Sequence, residues 1–521
     1  MTIARTGFTA ILRMQLRTGW FAALIWIAAL GGGYVATVGA LDGLYNTPED
    51  FASYEALTED PAMAAINGTA YGADTLGGVA ANEYGFIVAI AVPLMGLMLV
   101  NRHTRAQEER GLLELLRSRG VGARAPWSAA TLVAVLALVV VGAIMAVTLV
   151  AYGVPADEAL TYGGSIAVLG TVFAGVAVVV GQLVRRASLV TGAGIVVLGV
   201  SYVTRAIGDV HGSWWKWLSP LAWQQETRPF TGDPRLWPLG LTVVVAAALI
   251  GTGLVLAGRR DLGAAMFASR PGPTRASGLL RTTFGVAVRD AAGSAAAWIV
   301  GAFAVSVVFG AFTDDVADAF AGNQDLARIF GGGDSAQESY LAFCLLLSVL
   351  MAMGCLGQGL GRLRAEETGG RLEPTLARSV TRSRWLAAQA SVTVVAAVLA
   401  LLAGGLGLWL TSSDEVDDLM SSAVAYVPAV LVVAALGIAL FGIVPRLSAL
   451  YWAAFGYIVF VAFLGETLSL PEWTMRLSPA YAVGQVPVDQ VSAAAEWTML
   501  AATAVLAVAG FIGFRQRDIP R

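Results

Sequence analysis

RAQEERGLLELLRSR, Arg105 to Arg119, returns 259 positions later as RAEETGGRLEPTLAR, Arg364 to Arg378. Aligned without a gap, Arg105, Ala106, Glu108, Gly111, Leu113, Glu114 and Arg119 fall on Arg364, Ala365, Glu367, Gly370, Leu372, Glu373 and Arg378. Seven of fifteen positions agree, where ordinary composition gives about one. The same offset reappears far downstream, where Trp214, Leu218, Ser219 and Pro220 fall on Trp473, Leu477, Ser478 and Pro479. Two separated matches at one offset mark an internal duplication. The halves are 1–262 and 263–521, and each copy of the block lies in an arginine-rich gap between apolar segments.

Composition sets the class. The chain is 57% hydrophobic and 13% charged, with a mean hydropathy of +0.70, too poor in charge for a soluble domain of this length. Twelve stretches are long and apolar enough to cross a bilayer as helices: 19–41, 85–101, 128–152, 164–184, 188–205 and 237–258, then 294–313, 340–361, 386–411, 422–444, 448–466 and 497–514. The expected fold is therefore an all-α polytopic membrane protein, with twelve transmembrane helices in two tandem six-helix repeats of parallel orientation. Alternating the gaps gives two sets. The set with both termini and both blocks holds 27 of the 33 basic residues and 9 of the 36 acids. The positive-inside rule places that set, and both termini, in the cytoplasm.

Several segments carry secondary expectations. Met1 to Gly19 has three arginines but no small-residue cleavage site after it, so it reads as part of a retained first helix. Each half opens with a basic amphipathic stretch, Phe8 to Arg17 and Leu279 to Arg289, suited to a helix lying in the membrane interface, the alternative being the first turn of the following span with basic flanks. Arg259 to Thr274 is a linker, its Pro-Gly-Pro opposing a continuous helix. The outer gaps 42–83 and 314–338 are acidic, and each ends in a Glu followed closely by a Tyr, Glu83-Tyr84 and Glu338-Ser339-Tyr340. The tryptophans near Trp214 and Trp473 suit interface anchoring. Cys344 and Cys355, about 16 Å apart along one helix, are too distant for a disulfide.

Missing chemistry narrows the function. There is no G-x-x-x-x-G-K-[ST] phosphate loop, and the single lysine, Lys216, lies in WWKW. His103 and His211 are far apart, with no HExxH or Cys/His cluster, so neither a catalytic residue nor a metal site is assigned. Apart from Glu466 and Glu496 at span ends, no carboxylate falls inside an expected span, which disfavours an ion-coupled carrier. Energy for uphill movement would have to come from another chain.

Six spans with an amphipathic lead-in and a short E-x-x-G-x-x-E block between spans two and three resemble the permease of an ABC exporter of the type-2 class. The duplicated form resembles actinobacterial polyketide-antibiotic and multidrug (tetronasin-type) exporter permeases, over essentially the whole chain in layout. That resemblance implies a bacterial inner-membrane permease exporting hydrophobic or amphipathic small molecules such as antibiotics or drugs. It implies two copies of a separate ABC ATPase subunit carrying ATP and Mg, no cofactor in this chain, and no nucleic-acid partner. It makes each block a coupling helix, with Glu108, Gly111 and Glu114 in half one and Glu367, Gly370 and Glu373 in half two contacting the ATPase. Pro374, where half one has Leu115, is expected to shorten or kink the second helix. The family layout puts the substrate path along the second and fifth span of each half, which carry Phe86, Met95, Met98, Tyr202, Phe343, Met351, Met353, Phe455 and Tyr457. The alternative is a membrane-embedded binding or immunity protein that does not transport.

Overall fold

The computed structural model describes residues 7–58, 61–266, 275–311, 313, 336–377, 380–412, 419–465, 470–489 and 491–518. Asp318 and most of the second acidic gap lie outside them, as do Glu466 and Arg378. The described residues are helical, with twelve helices long and apolar enough to cross a membrane. They are α1 Phe8–Leu44, α2 Gly85–His103, α3 Ala125–Ala151, α4 Ala156–Leu183, α5 Ala187–Val210 and α6 Trp237–Arg259. Then follow α7 Thr283–Gly310, α8 Ala336–Thr368, α9 Arg382–Thr411, α10 Leu419–Ile443, α11 Pro445–Phe463 and α12 Ala493–Gln516. All twelve expected spans are present, each within a longer helix or close to its expected bounds. The chain divides into two compact units, Met1–Pro271 and Gly272–Arg521.

Within unit one, α4 is the central element, packed by α2, α3, α5 and α6, while α1 lies against α3. The core is built of small and β-branched side chains, with Val92, Leu138, Val141, Ile166 and Phe173 all buried. In unit two the corresponding pairs pack again: α7 on α9, α8 on α9 and α10, α10 on α12, and α11 on α8. Glycine sets the closest crossings, as expected where helices associate by van der Waals packing rather than by expelling water. A Cβ on Gly163 of α4 would collide with the carbonyl oxygen of Gly142 in α3, and one on Gly442 of α10 with that of Gly510 in α12. Gly164, one residue along, has open space where its Cβ would stand. Gly163→Leu should therefore destabilise unit one by about 1–3 kcal/mol, whereas Gly164→Leu should leave the thermal midpoint nearly unchanged. Equal midpoints for the two variants would remove the crossing argument.

Three expectations change. The basic stretch Phe8 to Arg17 is not a separate helix but the first turns of α1, whose 37 residues run uninterrupted. At 1.5 Å per residue that is about 55 Å, well beyond a ~30 Å hydrocarbon core. Gln15 fixes this extension by donating to the carbonyls of His103 and Pro126, both at 3.2 Å. In half two, Gly278–Arg281 is one 3-10 turn, and Thr282 caps α7 by accepting from the Gly285 N–H at 3.0 Å. Second, the acidic gap after α1 is largely helical, as Pro48–Thr58, Pro61–Asn67 and Leu76–Glu83. Third, the helices are longer than the apolar runs, so Asp209 falls inside α5 and Asp290 inside α7.

The repeated Glu-Tyr pairs share one structural role. Tyr84 donates to the carbonyl of Leu30 in α1 at 3.1 Å, and Tyr340 to that of Phe309 in α7 at 2.8 Å. Each ties the start of a half's second helix to its first. The matched Trp214 and Trp473 are both exposed, as interface anchors should be. Cys344 and Cys355 are buried and unbridged.

Candidate coupling site

Each block begins where a half's second helix ends. In half one, α2 stops at Thr104, whose φ −123° and ψ −91° leave the helical region. One turn, Arg105–Glu109, follows, then Gly111 at φ 74°, then the short helix Leu112–Arg117. In half two, α8 runs without a break to Thr368, Gly370 sits at φ 68°, and the helix Leu372–Leu376 follows. Both glycines reverse the chain in a left-handed conformation that other residues adopt only at a cost, which explains why glycine stands at the same place in each copy. Pro374 lies in the first turn of Leu372–Leu376, where a missing N–H leaves no helical bond unmade. That helix has five residues against six in half one.

The two glutamates of each block have opposite fates. Glu108 is buried and held on three sides. Arg260, just past α6, grips it with both guanidinium nitrogens at 2.8 Å, Arg105 approaches at 2.7 Å, and the Gly263 N–H donates at 2.8 Å. Arg260 also donates to Gln182 at 3.0 Å and lies 6.0 Å from the centre of the Trp127 ring. Arg105, itself buried, donates to the carbonyls of Ala264, at 2.9 Å, and Val184. In unit two Glu367 is equally buried, gripped by Arg517 at 2.6 and 2.9 Å, with Arg364 at 3.6 Å. Arg517 lies over Phe441 and Phe514, and the Phe514 ring stacks with those of Phe441 and Trp385. Both carboxylates are thus occupied within the chain, each fastening its block to the arginine that follows the last helix of its unit.

Glu114 and Glu373, by contrast, are exposed, each beside a buried leucine, Leu113 and Leu372. In half one Leu112 and Leu115 flank Glu114 as exposed apolar residues. Of the expected contact set, Glu114, Glu373 and the two glycine turns remain on accessible surface. Arg260, Arg517, Trp127 and Trp385 were not singled out from sequence. A signal existed: Arg-Asp follows each unit's last span, Arg260-Asp261 and Arg517-Asp518, and the two tryptophans are 258 positions apart.

Over 532 aligned residues, covering 99% of this chain and 95% of the relative, the sequence is 31% identical to the multidrug efflux system permease protein Rv1217c of Mycobacterium tuberculosis. The chain belongs to that permease family. A family profile described as the C-terminal domain of the multidrug efflux system permease Rv1217c matches residues 280–515, which fall within unit two. The permease is accordingly a multi-pass membrane protein.

The residues expected along a substrate path are only partly brought together. Phe86 of α2 meets Tyr202 of α5 edge-on with centroids 6.2 Å apart, and Phe343 of α8 meets Phe463 of α11 at 6.1 Å. Met95 and Met353 are fully buried inside their own units, Met98 is exposed and Met351 half-buried. Phe455 packs on Trp452, and Tyr457 donates to the Thr474 carbonyl at 2.6 Å. In each unit the second and fifth helices do pair through aromatics, while Met95 and Met353 serve packing.

At the end of unit one opposite the block, Glu226 collects an ion cluster: Lys216, Arg228 at 2.7 Å, Arg235 at 3.4 Å and the Tyr71 hydroxyl at 2.7 Å. Burial alone would raise its pKa, but hydrogen bonds from Lys216 and Tyr71 and the charges of Lys216 and Arg228 hold it below the usual carboxylate range. Because the folded value is lowered, the cluster's stabilisation is present above the unfolded pKa and is lost as pH falls through the folded one.

Proposed function

We propose that this chain is the membrane-spanning subunit of an ATP-driven exporter of the type-2 ABC class. It moves hydrophobic or amphipathic small molecules, drugs among them, out across a bacterial inner membrane. Hydrolysis of ATP with Mg takes place on two copies of a separate ABC ATPase, one docked at each block. The export reading rests on full-length similarity to a multidrug efflux permease. The observation that carries the ATPase reading is the duplicated block: a left-handed glycine, a buried leucine and an exposed glutamate recur at one spacing in both units. A solvated loop has no reason to keep that arrangement twice. Docking falls to Glu114 and Glu373, with Leu112 and Leu115 supplying apolar area in half one. Co-expression with a candidate ATPase tests the assignment: the pair should co-purify at one permease to two ATPases, and substrate should stimulate hydrolysis. Recovery of the permease alone, with drug extrusion intact, would favour a different energy source.

Both termini and both blocks face the cytoplasm in this reading. The buried native cysteines give a low labelling background. Glu49→Cys, at the start of Pro48–Thr58, should react with an impermeant maleimide in intact cells. Arg119→Cys should react only after permeabilisation. Reaction of Arg119→Cys in intact cells reverses the orientation.

A further inference from the structure

The end of α5 away from the block holds a buried cation that the coupling site does not use. Arg205 is completely buried there. One of its terminal nitrogens, Nη2, donates to the carbonyls of Ala65 and Ile66 at 2.8 and 2.9 Å, and its guanidinium lies 4.5 Å from the Tyr202 ring centre. Asp209 stands 3.8 Å from Nε, beyond hydrogen-bond distance. Nη1 and Nε have no hydrogen-bond partner. An unmade bond on a buried guanidinium is costly.

Arg205 lines a cavity of about 40 Å³ walled also by Asn67, Tyr71, Asn82, Gln224 and Gln225. One water needs about 10–15 Å³ by that measure, so the space takes a group of two or three heavy atoms, not a whole drug. Its surroundings favour an anion. Arg205 is the charged side chain in its wall, and behind Tyr71 of the same wall Lys216, Arg228 and Arg235 gather on Glu226, so that four cations meet Glu226 and Asp209 at this end of unit one. They are four of the six basic residues on a side that carries 27 acids. Duplication does not explain them. At the 259 offset their counterparts are Leu464, Met475, Pro487 and Ala494, and Glu226 becomes Gln485. At these matched positions unit two carries no charge.

We propose that unit one binds the carboxylate head of an amphipathic small molecule, with the free edge of the Arg205 guanidinium as its ligand. A carboxylate supplies the acceptors that edge is missing, in the charge-assisted geometry that guanidinium favours. Its three heavy atoms match the cavity, and the apolar remainder stays outside it. The site belongs to the folded chain and stands whether or not the chain exports.

The test is calorimetry on the full chain in lipid nanodiscs, with octanoate as probe, octanamide as its uncharged match and inorganic phosphate as a free anion. Octanoate should bind saturably, octanamide not, and phosphate at least about tenfold more weakly than octanoate. Arg205→Gln should weaken octanoate at least about tenfold, in line with loss of a charge-assisted bond, while Arg476→Gln in unit two changes nothing. Since Arg205 also anchors Ala65 and Ile66, Arg205→Gln could fail to fold. Ala81→Asp, which sets a carboxylate in the same cavity wall, then decides: the variant should fold and no longer take octanoate. Equal binding of octanoate and octanamide, no binding of either, phosphate binding as tightly as octanoate, or unchanged octanoate affinity in folded Arg205→Gln or Ala81→Asp each overturns the proposal.

Discussion

Glu108→Ala should destabilise the permease by about 3–5 kcal/mol, the cost of stripping one partner from a buried ion pair. The loss is large because Arg105 and Arg260 would be left buried with no carboxylate between them, and the Gly263 N–H would lose its acceptor. Glu367→Ala should cost less, since Arg364 is about a third exposed and can turn to solvent. Glu114→Ala, on exposed surface, is the control and should stay within about 0.5 kcal/mol of the parent. Chemical unfolding of the purified chain measures all three. A second comparison separates charge from shape. Glu108→Met with Arg260→Met should recover much of the loss, because replacing a whole buried pair by apolar side chains is often close to neutral. If Glu108→Ala is no more harmful than Glu114→Ala, the clamp is not holding the block.

The second large effect concerns docking. Glu114→Arg combined with Glu373→Arg should abolish stable capture of the ATPase while leaving the unfolding curve of the permease unchanged. In the proposed dock each exposed carboxylate would offer one charge-assisted contact, about 1.5–3 kcal/mol, and reversal would add repulsion against a basic partner. One reversal leaves one dock intact and should retain partial activity. Two should bring substrate-stimulated hydrolysis close to the ATPase's own basal rate. The stability readout matters, since it distinguishes this pair from Glu108 and Glu367, whose replacement would lower activity by loosening the fold. A double variant that still holds two ATPase copies and exports at the parental rate would show these glutamates to be ordinary solvated surface.

The twelve helices were legible because apolar length is a strong local signal, and the block was legible because it occurs twice. The roles inside the block were not. Glu108 and Glu114 share residue type and flank one glycine, yet one is buried and the other exposed. What separates them is Arg260, 152 residues from Glu108 in the chain, and a pairing over that distance leaves no local trace. The lead-in stretches misled for the opposite reason. Amphipathicity at Phe8 to Arg17 is real, but no helix-breaking residue divides it from the span, so one helix forms. The ends of spans were also underestimated. Polar residues such as Asp209 extend a helix when neighbours supply partners, and that extension put Arg205 and Asp209 on the same helix beside the cavity.

The break at Thr104 has a mechanical consequence. In unit two, α8 carries on as one rod of 33 residues, about 50 Å long, straight into the turn before Leu372. A twist applied at that block would act on an unbroken helix. In unit one the backbone leaves the helix at Thr104, and the block hangs from its clamp on Arg260. A push there reaches α6 through the clamp, as one on the second block reaches α12 through Arg517. If an ATPase docks at each block as proposed, the two docks differ in how the backbone joins them to the second helix, unbroken in unit two and interrupted in unit one, while both keep the arginine clamp to the last helix.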